Sequence, residues 1–351
     1  MAFLHIPNVR LSGVAACVQK TILENSDYDL FSADEAHKFM TTTGVERRRK
    51  ADKETTAADL CYKAAEKLLD DLGWFKEEID VLVFVTQTPD YILPATSCLI
   101  QDKMKLREGI LALDVSLGCS GWVYGLEVVS SLLSHGQLKK GLLLVGDTTL
   151  KHCSIKDKST YPLFGDAGTA TAIEYGHDFE GFKFHSATDG AGYEAIIIPD
   201  GGYRNLVTYS SFEMTEIEPG ITRNKLHTVL DGMNVFSFGI SKAPESIKML
   251  AEKYEIDLEK VDYFLFHQAN LYMNEKIRKK LRIPIEKVPY SLKNYGNTSS
   301  ATIPLTIVTE LTHCLSNGTN NIIACGFGVG LSWGTMQFIT DEPIICDIIE
   351  Y

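Results

Sequence analysis

The spacing of apolar and polar positions changes several times along the chain, as expected when strands alternate with helices. Continuous apolar runs within residues 80–85, 110–115 and 141–146 predict buried strands. Apolar residues spaced three or four apart predict amphipathic helices over residues 55–72 and 122–133. The pattern therefore predicts an α/β fold built around a largely buried sheet.

The remaining patterns predict shorter elements and two loops. The predicted elements are a strand and turn over residues 1–13, helices over residues 32–40 and 94–104, and a strand over residues 169–175. The charged run 44–50 is more typical of a solvated turn than of a binding site. Residues 151–161 and 201–227 predict loops, and the second is long enough to serve as a functional cover.

The second half of the chain repeats the pattern of the first. The matched pairs are Asp80 and Asp262 at a separation of 182 residues, Cys119 and Asn297 at 178, and the strands 142–145 and 322–325 at 180. Near-equal separations in the same order indicate an internal duplication, so we predict two similar halves, residues 1–176 and 177–351. Coincidental repetition, which any α/β chain can show, is the alternative explanation.

Composition and charge place the chain among ordinary globular proteins. Of its 351 residues 45% are hydrophobic and 23% are charged, and the formal net charge is −12. That charge argues against broad binding to nucleic acids or anionic membranes. The sequence shows no signal-peptide pattern and no apolar run of about 18 residues, the length that spans a membrane.

The 8 cysteines are scattered and form no Cys-x-x-Cys pair. Such usage is typical of free thiols in a reducing compartment and disfavours a disulfide framework or a zinc site. We therefore predict a cytoplasmic protein without a metal centre or a membrane span.

Cys119 stands where the predicted strand 110–115 passes into the helix that starts near Trp122. The N-terminus of a helix carries partial positive charge and unpaired N–H groups, and both favour a thiolate near neutral pH. Gly118 and Gly121 keep bulky side chains away from the sulfur. The position indicates a nucleophile, with a buried structural cysteine as an equally good explanation from this stretch alone.

Three further positions carry polar groups at the ends of predicted elements. His267 follows a buried apolar run, and Asn297 precedes the predicted helix 303–315. The glycines of the segment 326–330 leave closely spaced backbone N–H groups unhindered. A core histidine, a helix N-cap and a tight β-turn explain the three positions separately.

Taken together, a thiol, an imidazole, a carboxamide and an N–H cluster suit thioester chemistry. The Cys119 thiolate can attack an acyl carbonyl and hold the acyl group. The imidazole of His267 and the amide of Asn297 are donors that can stabilise an enolate without a metal. Backbone N–H groups for the oxyanion are expected from Cys119, Gly328, Val329 and Gly330.

Four motifs occur in a fixed order along the chain. They are Asp114-Val-x-x-x-Cys-Ser-Gly, His267-Gln-Ala-Asn, Gly296-Asn-Thr-Ser-Ser-Ala and Gly326-Phe-Gly-x-Gly-x-x-Trp-Gly. In this order and spacing the chain resembles the β-ketoacyl-acyl carrier protein synthase III family, in the thiolase superfamily, over nearly its whole length. The resemblance implies a thiolase-like five-layer αβαβα fold from two duplicated halves, assembled as a homodimer.

The same resemblance implies an acyltransferase with the triad Cys119, His267 and Asn297. Cys119 would be acylated, and the other two would promote decarboxylation of malonyl-acyl carrier protein in fatty acid biosynthesis. The resulting carbanion would attack the acyl-enzyme. No cofactor of the enzyme's own is implied, because phosphopantetheine is carried by the substrates, on acyl carrier protein or coenzyme A.

The chain departs from the family pattern at several positions that resemblance assigns to coenzyme A or the carrier. Lys38, Thr42 and Lys158 replace the usual tryptophan and arginines, and Tyr272 replaces another arginine. These losses weaken the case for an acyl-coenzyme A primer. The resemblance further assigns substrate contacts to Leu93, whose counterpart enters the partner's acyl pocket, and to Asn270, Lys158 and Lys38.

A basic run follows the His267 motif on a predicted helix. Its members are Lys276, Arg278, Lys279, Lys280 and Arg282. A solvated helix face explains the run as well as a docking surface does. We predict that an acidic acyl carrier protein docks there and primes Cys119 better than coenzyme A does.

Two other functions are compatible with the sequence. A diverged family member could transfer acyl groups, or condense them in a secondary or surface-glycan pathway, because fold similarity does not settle function. A non-catalytic scaffold is the alternative from a different class. It would have no need to keep the thiol, imidazole and carboxamide together.

Overall fold

Two central β-sheets with the same strand order carry the interior of the protein. The computed structural model describes residues 2–316 and 318–351. Its strands are β1 (Ala2–Ile6), β2 (Val9–Val18), β3 (Ile22–Glu24), β4 (Arg47–Arg49), β5 (Val81–Val85), β6 (Leu111–Val115), β7 (Lys140–Asp147), β8 (Ala167–Tyr175), β9 (Phe182–Thr188), β10 (Ile196–Ile197), β11 (Thr215–Glu218), β12 (Ile221–Arg223), β13 (Val229–Leu230), β14 (Tyr263–Phe266), β15 (Thr319–Gly328), β16 (Ser332–Asp341), β17 (Ile344–Ile345) and β18 (Ile349–Glu350). Its α-helices are α1 (Ala33–Thr43), α2 (Ala57–Leu72), α3 (Thr96–Met104), α4 (Gly121–Leu133), α5 (Gly232–Lys253), α6 (Leu271–Leu281), α7 (Leu292–Tyr295), α8 (Thr302–Glu310) and α9 (Thr312–Leu315).

The two sheets follow one plan. The first has the order β17-β2-β8-β7-β5-β6, with β18 also on β2, and the second has the order β1-β9-β16-β15-β14. The pairing directions agree as well. β2 with β8 and β9 with β16 are antiparallel, whereas β5 with β7 and β14 with β15 are parallel. A duplicated α/β unit would produce this topology.

The terminal strands cross between the two sheets. β1 pairs with β9 in the second sheet, while β17 and β18 pair with β2 in the first. The division into residues 1–176 and 177–351 stays a prediction. The terminal strands β1, β17 and β18 do not follow it, because each pairs with the sheet built mainly from the other part of the chain.

Helices separate the two sheets and cover their outer faces. In the central layer Trp122 and Leu126 of α4 and Ile303 of α8 pack with Phe338 of the second sheet. α2 and α3 cover the first sheet on its outer side, and α5 and α6 cover the second. The result is five layers in the order αβαβα. No helix in the described parts of the chain is both long and apolar enough to cross a bilayer.

Helix α2 shows how local signals set an element that the sequence predicts. The Thr56 hydroxyl accepts a hydrogen bond from the Asp59 N–H, and the Asp59 carboxylate accepts one from the Thr56 N–H. Gly73 ends the helix at φ 64°, a left-handed conformation that glycine adopts without strain. Between these ends Leu60 and Leu68 are buried against the first sheet. The helix predicted over residues 55–72 is confirmed.

Strand β2 is longer than the sequence analysis predicts for residues 1–13. Its ten residues lie inside the first sheet, and those from Leu11 to Val18 are buried. Small residues such as Gly13 and Ala15 weaken the apolar signal there, although helix α2 covers the strand closely. The predicted helix 303–315 also differs, because it is divided at Leu311 into α8 and α9.

The charged run 44–50 is not a solvated turn, and that expectation is wrong. It forms β4, which pairs with β3. Arg48 is only 1% exposed, and burial lowers its pKa to about 10. Its Nε donates to Asn25 Oδ1 at 3.0 Å and its Nη1 donates to the Tyr161 carbonyl at 2.7 Å. These acceptors make the buried guanidinium tolerable, which a run of letters cannot reveal.

Candidate active site

A cavity of about 680 Å³ opens where strands of both sheets end. Gln87 and Asp147 at the ends of β5 and β7 line it from the first sheet, and His267 and Gly328 at the ends of β14 and β15 line it from the second. Because the carboxyl ends of parallel strands meet at one edge of a sheet, such edges collect functional side chains. Cys119, His267 and Asn297 all line this cavity, as does Asn270.

Cys119 lies between β6 and α4 and is 9% exposed. Gly328 faces it so closely that a Cβ atom added there would lie 2.6 Å from the Cys119 sulfur. Only glycine permits this approach, which brings backbone N–H groups of the 328–330 turn beside the thiol. Gly328 and Val329 line the cavity, whereas Gly330 packs against Ser332 and is not among the lining residues.

The ionisation of Cys119 differs from the expectation drawn from its helix terminus. Burial raises the pKa of the thiol to about 11; the Val329 N–H lowers it, and the charge of Asp147 raises it. At neutral pH the group is therefore a thiol and needs a base to become a nucleophile.

The ring of His267 is held by the element that follows Asn297. Its Nδ1 forms a 2.8 Å hydrogen bond with the hydroxyl of Thr302, the first residue of α8. The Asn274 amide donates to the His267 carbonyl at 3.1 Å, and Phe327 lies edge-on to the ring. Burial lowers the pKa of His267 to about 3. The imidazole is therefore neutral across the physiological range.

Asn297 sits in the passage from α7 to α8 and contacts the first half of the chain. Its Oδ1 accepts from the Ser299 N–H at 2.9 Å, which leaves Nδ2 for the cavity. Its backbone N–H donates to Leu163, and its carbonyl accepts from Gly165, both at 3.0 Å. Gly296 precedes it at φ 65°, where a side chain would be strained. A loop in the first half of the chain, which contains Leu163 and Gly165, thus holds Asn297 of the second half in place.

Asp147 is a site residue that the sequence analysis missed. Its Oδ1 accepts from the Gln87 N–H at 2.7 Å, and its Oδ2 accepts from the Ser300 hydroxyl at 2.5 Å. The carboxylate therefore ties the end of β5 to the turn that carries Asn297 and Ser299. An acid directly after the buried run of β7 was the available signal, but its partner lies 153 residues away.

Family models match the chain on both sides of this site. One describes 3-oxoacyl-[acyl-carrier-protein] synthase III and matches residues 113–190, and the C-terminal model of the same synthase matches residues 251–338. The beta-ketoacyl-[acyl-carrier-protein] synthase III of Clostridium perfringens strain ATCC 13124 is 32% identical over 328 residues, 93% of this chain and 98% of that protein. The chain belongs to the synthase III family.

Other relatives agree in sequence and in fold. The beta-ketoacyl-[acyl-carrier-protein] synthase III of Streptococcus sanguinis is 30% identical over 93% of this chain and 98% of that protein. A 3-oxoacyl-(acyl-carrier protein) synthase from Burkholderia xenovorans LB400 has a solved structure with 39% identity and a TM-score of 0.94, covering 100% of this chain and 99% of that one. The resemblance, the thiolase-like fold and the acyl-transferring, condensing class of enzyme are confirmed.

The other residues assigned to substrate in this synthase III member do not share one place. Asn270 lines the cavity and caps α6, accepting from the Met273 N–H at 2.8 Å. Lys38 is exposed on α1, and Lys158 lies 3.4 Å from Glu35 in an ion pair. Leu93 is 75% exposed. Lys38, Lys158 and Leu93 do not belong to the described lining of the cavity.

The basic residues assigned to docking lie on α6, and they differ in whether their side chains are bound to other groups of the protein. Arg278 binds Glu275 through two hydrogen bonds of 2.7 Å and also donates to the Ile283 carbonyl. Lys280 donates to the Ile240 carbonyl at 3.0 Å. Lys276 and Lys279 are exposed on the same helix. α6 starts at the cavity mouth, since Tyr272 and Met273 in its first turn are lining residues.

The predicted loop 201–227 is mostly a surface segment containing the hairpin β11–β12. Tyr203, Tyr209 and Phe212 are exposed, whereas Thr228 and Leu230, directly after the loop, line the cavity. Its role as a functional cover stays a prediction. Within the described chain no group of three or more His, Cys, Asp or Glu side chains is arranged to hold a metal ion.

Proposed function

We propose that the protein catalyses a decarboxylating Claisen condensation, joining an acyl thioester to the two-carbon unit of malonyl-acyl carrier protein in fatty acid biosynthesis. The observation that carries the proposal is the meeting of the Cys119 thiol, the His267 imidazole and the Asn297 carboxamide in one cavity. Membership of the synthase III family supports the same reaction.

In the first half-reaction Cys119 takes up the acyl group. Because the thiol is protonated at neutral pH, its attack on the thioester carbonyl is accompanied by proton transfer to Nε2 of His267, in the neutral tautomer whose Nδ1–H donates to the Thr302 hydroxyl. The N–H groups of Cys119 and Val329 stabilise the oxyanion. When the tetrahedral intermediate collapses, the phosphopantetheine thiol of the donor leaves and takes the proton.

In the second half-reaction His267 and Asn297 act as neutral donors. In the tautomer that carries the ring proton on Nε2, His267 supplies one N–H, and Asn297 Nδ2 supplies a second. Both donate to the thioester carbonyl oxygen of the malonyl group. The bond to its carboxylate breaks, CO₂ leaves, and the electron pair forms an enolate. The enolate carbon attacks the acyl carbonyl and expels the Cys119 thiolate, which takes up a proton from solvent and returns to the thiol.

Single substitutions separate the two half-reactions. Cys119→Ala is expected to abolish acylation, measured as the mass added to the intact protein. His267→Ala and Asn297→Ala are expected to reach full acylation at excess thioester, more slowly in His267→Ala because the proton acceptor is gone. Both are expected to lose CO₂ release from malonyl-acyl carrier protein by about a hundredfold or more. Normal decarboxylation by either variant would contradict the assigned roles.

The same assay distinguishes the competing functions. Transfer of the acyl group to an alcohol or amine without CO₂ would favour a diverged acyltransferase of a secondary or glycan pathway. Failure of both acyl-coenzyme A and acyl carrier protein in excess to label Cys119 would favour a non-catalytic scaffold.

The proposal extends to a cytoplasmic homodimer. Three consecutive apolar side chains, Tyr91, Ile92 and Leu93, are exposed by 60%, 74% and 75%. Such a patch is typical of an interface, and closed twofold dimers are the commonest oligomers. Light scattering at micromolar concentration is expected to give the mass of two chains, and the mass of one chain would reject the dimer.

Acyl carrier protein is the proposed partner, and the substrates supply phosphopantetheine in place of a cofactor of the enzyme. Helix α6 supports carrier docking because it begins at the cavity mouth and exposes Lys276 and Lys279. Lys38 and Lys158 stand where the family resemblance implies contacts to coenzyme A. A lysine cannot offer the planar stacking or bidentate phosphate contact of arginine, which favours the carrier as donor.

A further inference from the structure

One wall of the cavity is polar, and the reaction proposed above does not use its side chains. It consists of Gln87 and Thr149, which follow β5 and β7, and of His152 and Thr228, which are joined by a 2.7 Å hydrogen bond. We call these four residues the polar wall.

Gln87 brings the polar wall close to the nucleophile. Its backbone N–H is held by Asp147, so the residue has a fixed position at the end of β5. A Cβ atom added to Gly118 would collide with Gln87 Oε1, which places the carboxamide against the residue next to Cys119. An acyl group bound to the Cys119 sulfur would therefore meet this carboxamide near its thioester end.

The polar wall has hydrogen-bonding capacity that the protein does not use. Neither the carboxamide of Gln87 nor the hydroxyl of Thr149 bonds to another described residue. His152 uses Nδ1 for Thr228, and its Nε2 has no partner among the described residues. Burial lowers the pKa of His152, so the ring is a neutral group with one free nitrogen.

The charge of the lining restricts which polar acyl group can fit. No lysine or arginine is present among the described residues that line the cavity. Asp147 is the acidic side chain in that lining, and both its oxygens are taken by hydrogen bonds. A primer with a free carboxylate would therefore find no cation to pair with, whereas a neutral hydroxyl can both donate and accept.

The apolar surroundings of the polar wall suit the carbon chain of an acyl group. Their members are Leu163, Phe164, Ile196, Ile197 and Leu230. A purely alkyl chain would displace water from the polar wall without replacing its hydrogen bonds, which weakens binding. A site built to bond a substrate hydroxyl rejects the analogue that lacks it far more strongly than an apolar pocket rejects an extra methylene.

We propose that the primer held on Cys119 is a neutral hydroxyacyl group whose hydroxyl bonds to the polar wall. The inference rests on the proposed function and adds to it the class of acyl substrate. Because Gln87 lies beside Gly118, the hydroxyl belongs near the thioester, on the third carbon of the chain.

The test compares butyryl-, 3-hydroxybutyryl- and succinyl-acyl carrier protein as primers of the full-length protein. Acylation of Cys119 is followed by intact-protein mass spectrometry, and kcat/KM is measured with malonyl-acyl carrier protein. We expect 3-hydroxybutyryl to be preferred over butyryl by about tenfold or more, and succinyl to be the poorest primer.

Variants of the polar wall show whether the preference arises there. Gln87→Leu and Thr149→Val are expected to reduce the 3-hydroxybutyryl preference by about tenfold, through loss of the hydroxyacyl rate rather than of the butyryl rate. Thr149→Ser, which keeps the hydroxyl, is expected to keep the preference. Thr215→Val, on the exposed strand β11, is the matched control and should change neither rate.

The outcomes separate the two levels of the proposal. Butyryl priming that equals or exceeds 3-hydroxybutyryl priming would overturn the inference alone, as would variants that alter both rates by one factor. If none of the three thioesters labelled Cys119 but another acyl thioester did, the inference would fail and the proposed function would stand. If no acyl thioester labelled Cys119, both would fail.

Discussion

At the scale of single residues, two physical effects compete for the ionisation of Cys119. A helix N-terminus stabilises a thiolate by about 0.3–1 kcal/mol, less than one pKa unit at about 1.4 kcal/mol per unit. Full burial moves a pKa by up to about 3–5 units in the opposite direction. Burial therefore wins, and the pKa of Cys119 rises to about 11 while that of His267 falls to about 3. The pair is neutral at rest.

This balance predicts how alkylation of Cys119 depends on pH. Because the thiolate is the reactive form and the pKa is raised to about 11, the rate with iodoacetamide should rise about tenfold per pH unit between pH 7 and pH 10. Asp147→Asn removes a charge that raises this pKa, so it should speed alkylation at pH 8 several-fold. Peptide mass spectrometry measures the label at Cys119.

The exposed Cys98, labelled in the same sample, serves as the internal control for reagent and accessibility. Its labelling rate should be the same in the parent protein and in Asp147→Asn. A Cys119 rate that levels off below pH 8 would contradict the balance drawn above.

At the scale of elements, β4 holds the loop that positions Asn297. Arg48 of β4 donates to the Tyr161 carbonyl, and Phe164, three residues further along, forms a bridge with Asn297. The Arg48 side chain also packs against Gly296, whose left-handed conformation brings the chain back toward this loop. A short edge strand thereby connects the first half to the candidate carboxamide.

Replacing Arg48 by lysine should therefore be costly. A lysine cannot reach Asn25 Oδ1 and the Tyr161 carbonyl together, and a buried acceptor left unpaired costs about 1–3 kcal/mol. Arg48→Lys is expected to lower the free energy of unfolding by about 2–4 kcal/mol in urea denaturation. Asn297 should also move from its position in the cavity. Because Asn297 takes part in decarboxylation and not in acylation, the rate of CO₂ release should fall more than the rate of acylation.

The neighbouring arginine provides the matched control. Arg47 is a half-exposed residue on the same strand, and its partner Glu24 lies at the surface. Arg47→Lys is expected to change the free energy of unfolding by no more than about 0.5 kcal/mol. Equal losses of unfolding free energy from the two substitutions would show that the buried guanidinium of Arg48 contributes no more to stability than the half-exposed one of Arg47.

At the scale of the whole molecule, the distribution of charge matters more than the total. The chain carries a net charge of −12, which repels an acidic carrier in general. Helix α6 interrupts that field at the cavity mouth, with Lys279 68% exposed and Lys276 beside the ring of Tyr272. Arg278 contributes less to a docking surface because Glu275 holds it.

Carrier docking on this helix predicts the preferred donor. The same acyl group should prime Cys119 faster from acyl carrier protein than from coenzyme A. Lys276→Glu with Lys279→Glu should slow the carrier reaction by about tenfold at low salt and less at high salt, because screening weakens steering. Stopped-flow acylation at several salt concentrations measures both effects.

Lys105→Glu, at the exposed end of α3, is the matched charge reversal and should leave the carrier rate nearly unchanged. Priming by acyl-coenzyme A that is equally fast or faster, and insensitive to the α6 reversal, would reject carrier docking on this helix.

Much of this protein was determined by the sequence alone, because the signals are local. Apolar runs predicted β5, β6 and β7, and capping residues with a stop glycine predicted α2. The four motifs led to the family and to Cys119, His267 and Asn297, which line one cavity. Motifs work at this level because the residue types and their order suffice to name the chemistry.

Only the tertiary structure decided the properties that depend on distant neighbours. Burial of Arg48 needs acceptors from residues 25 and 161, and Asp147 binds Ser300 across 153 residues. The raised pKa of Cys119 and the free polar groups of the polar wall likewise arise from desolvation and packing. A sequence fixes which groups exist, whereas the free energy of each group depends on what surrounds it once the chain has folded.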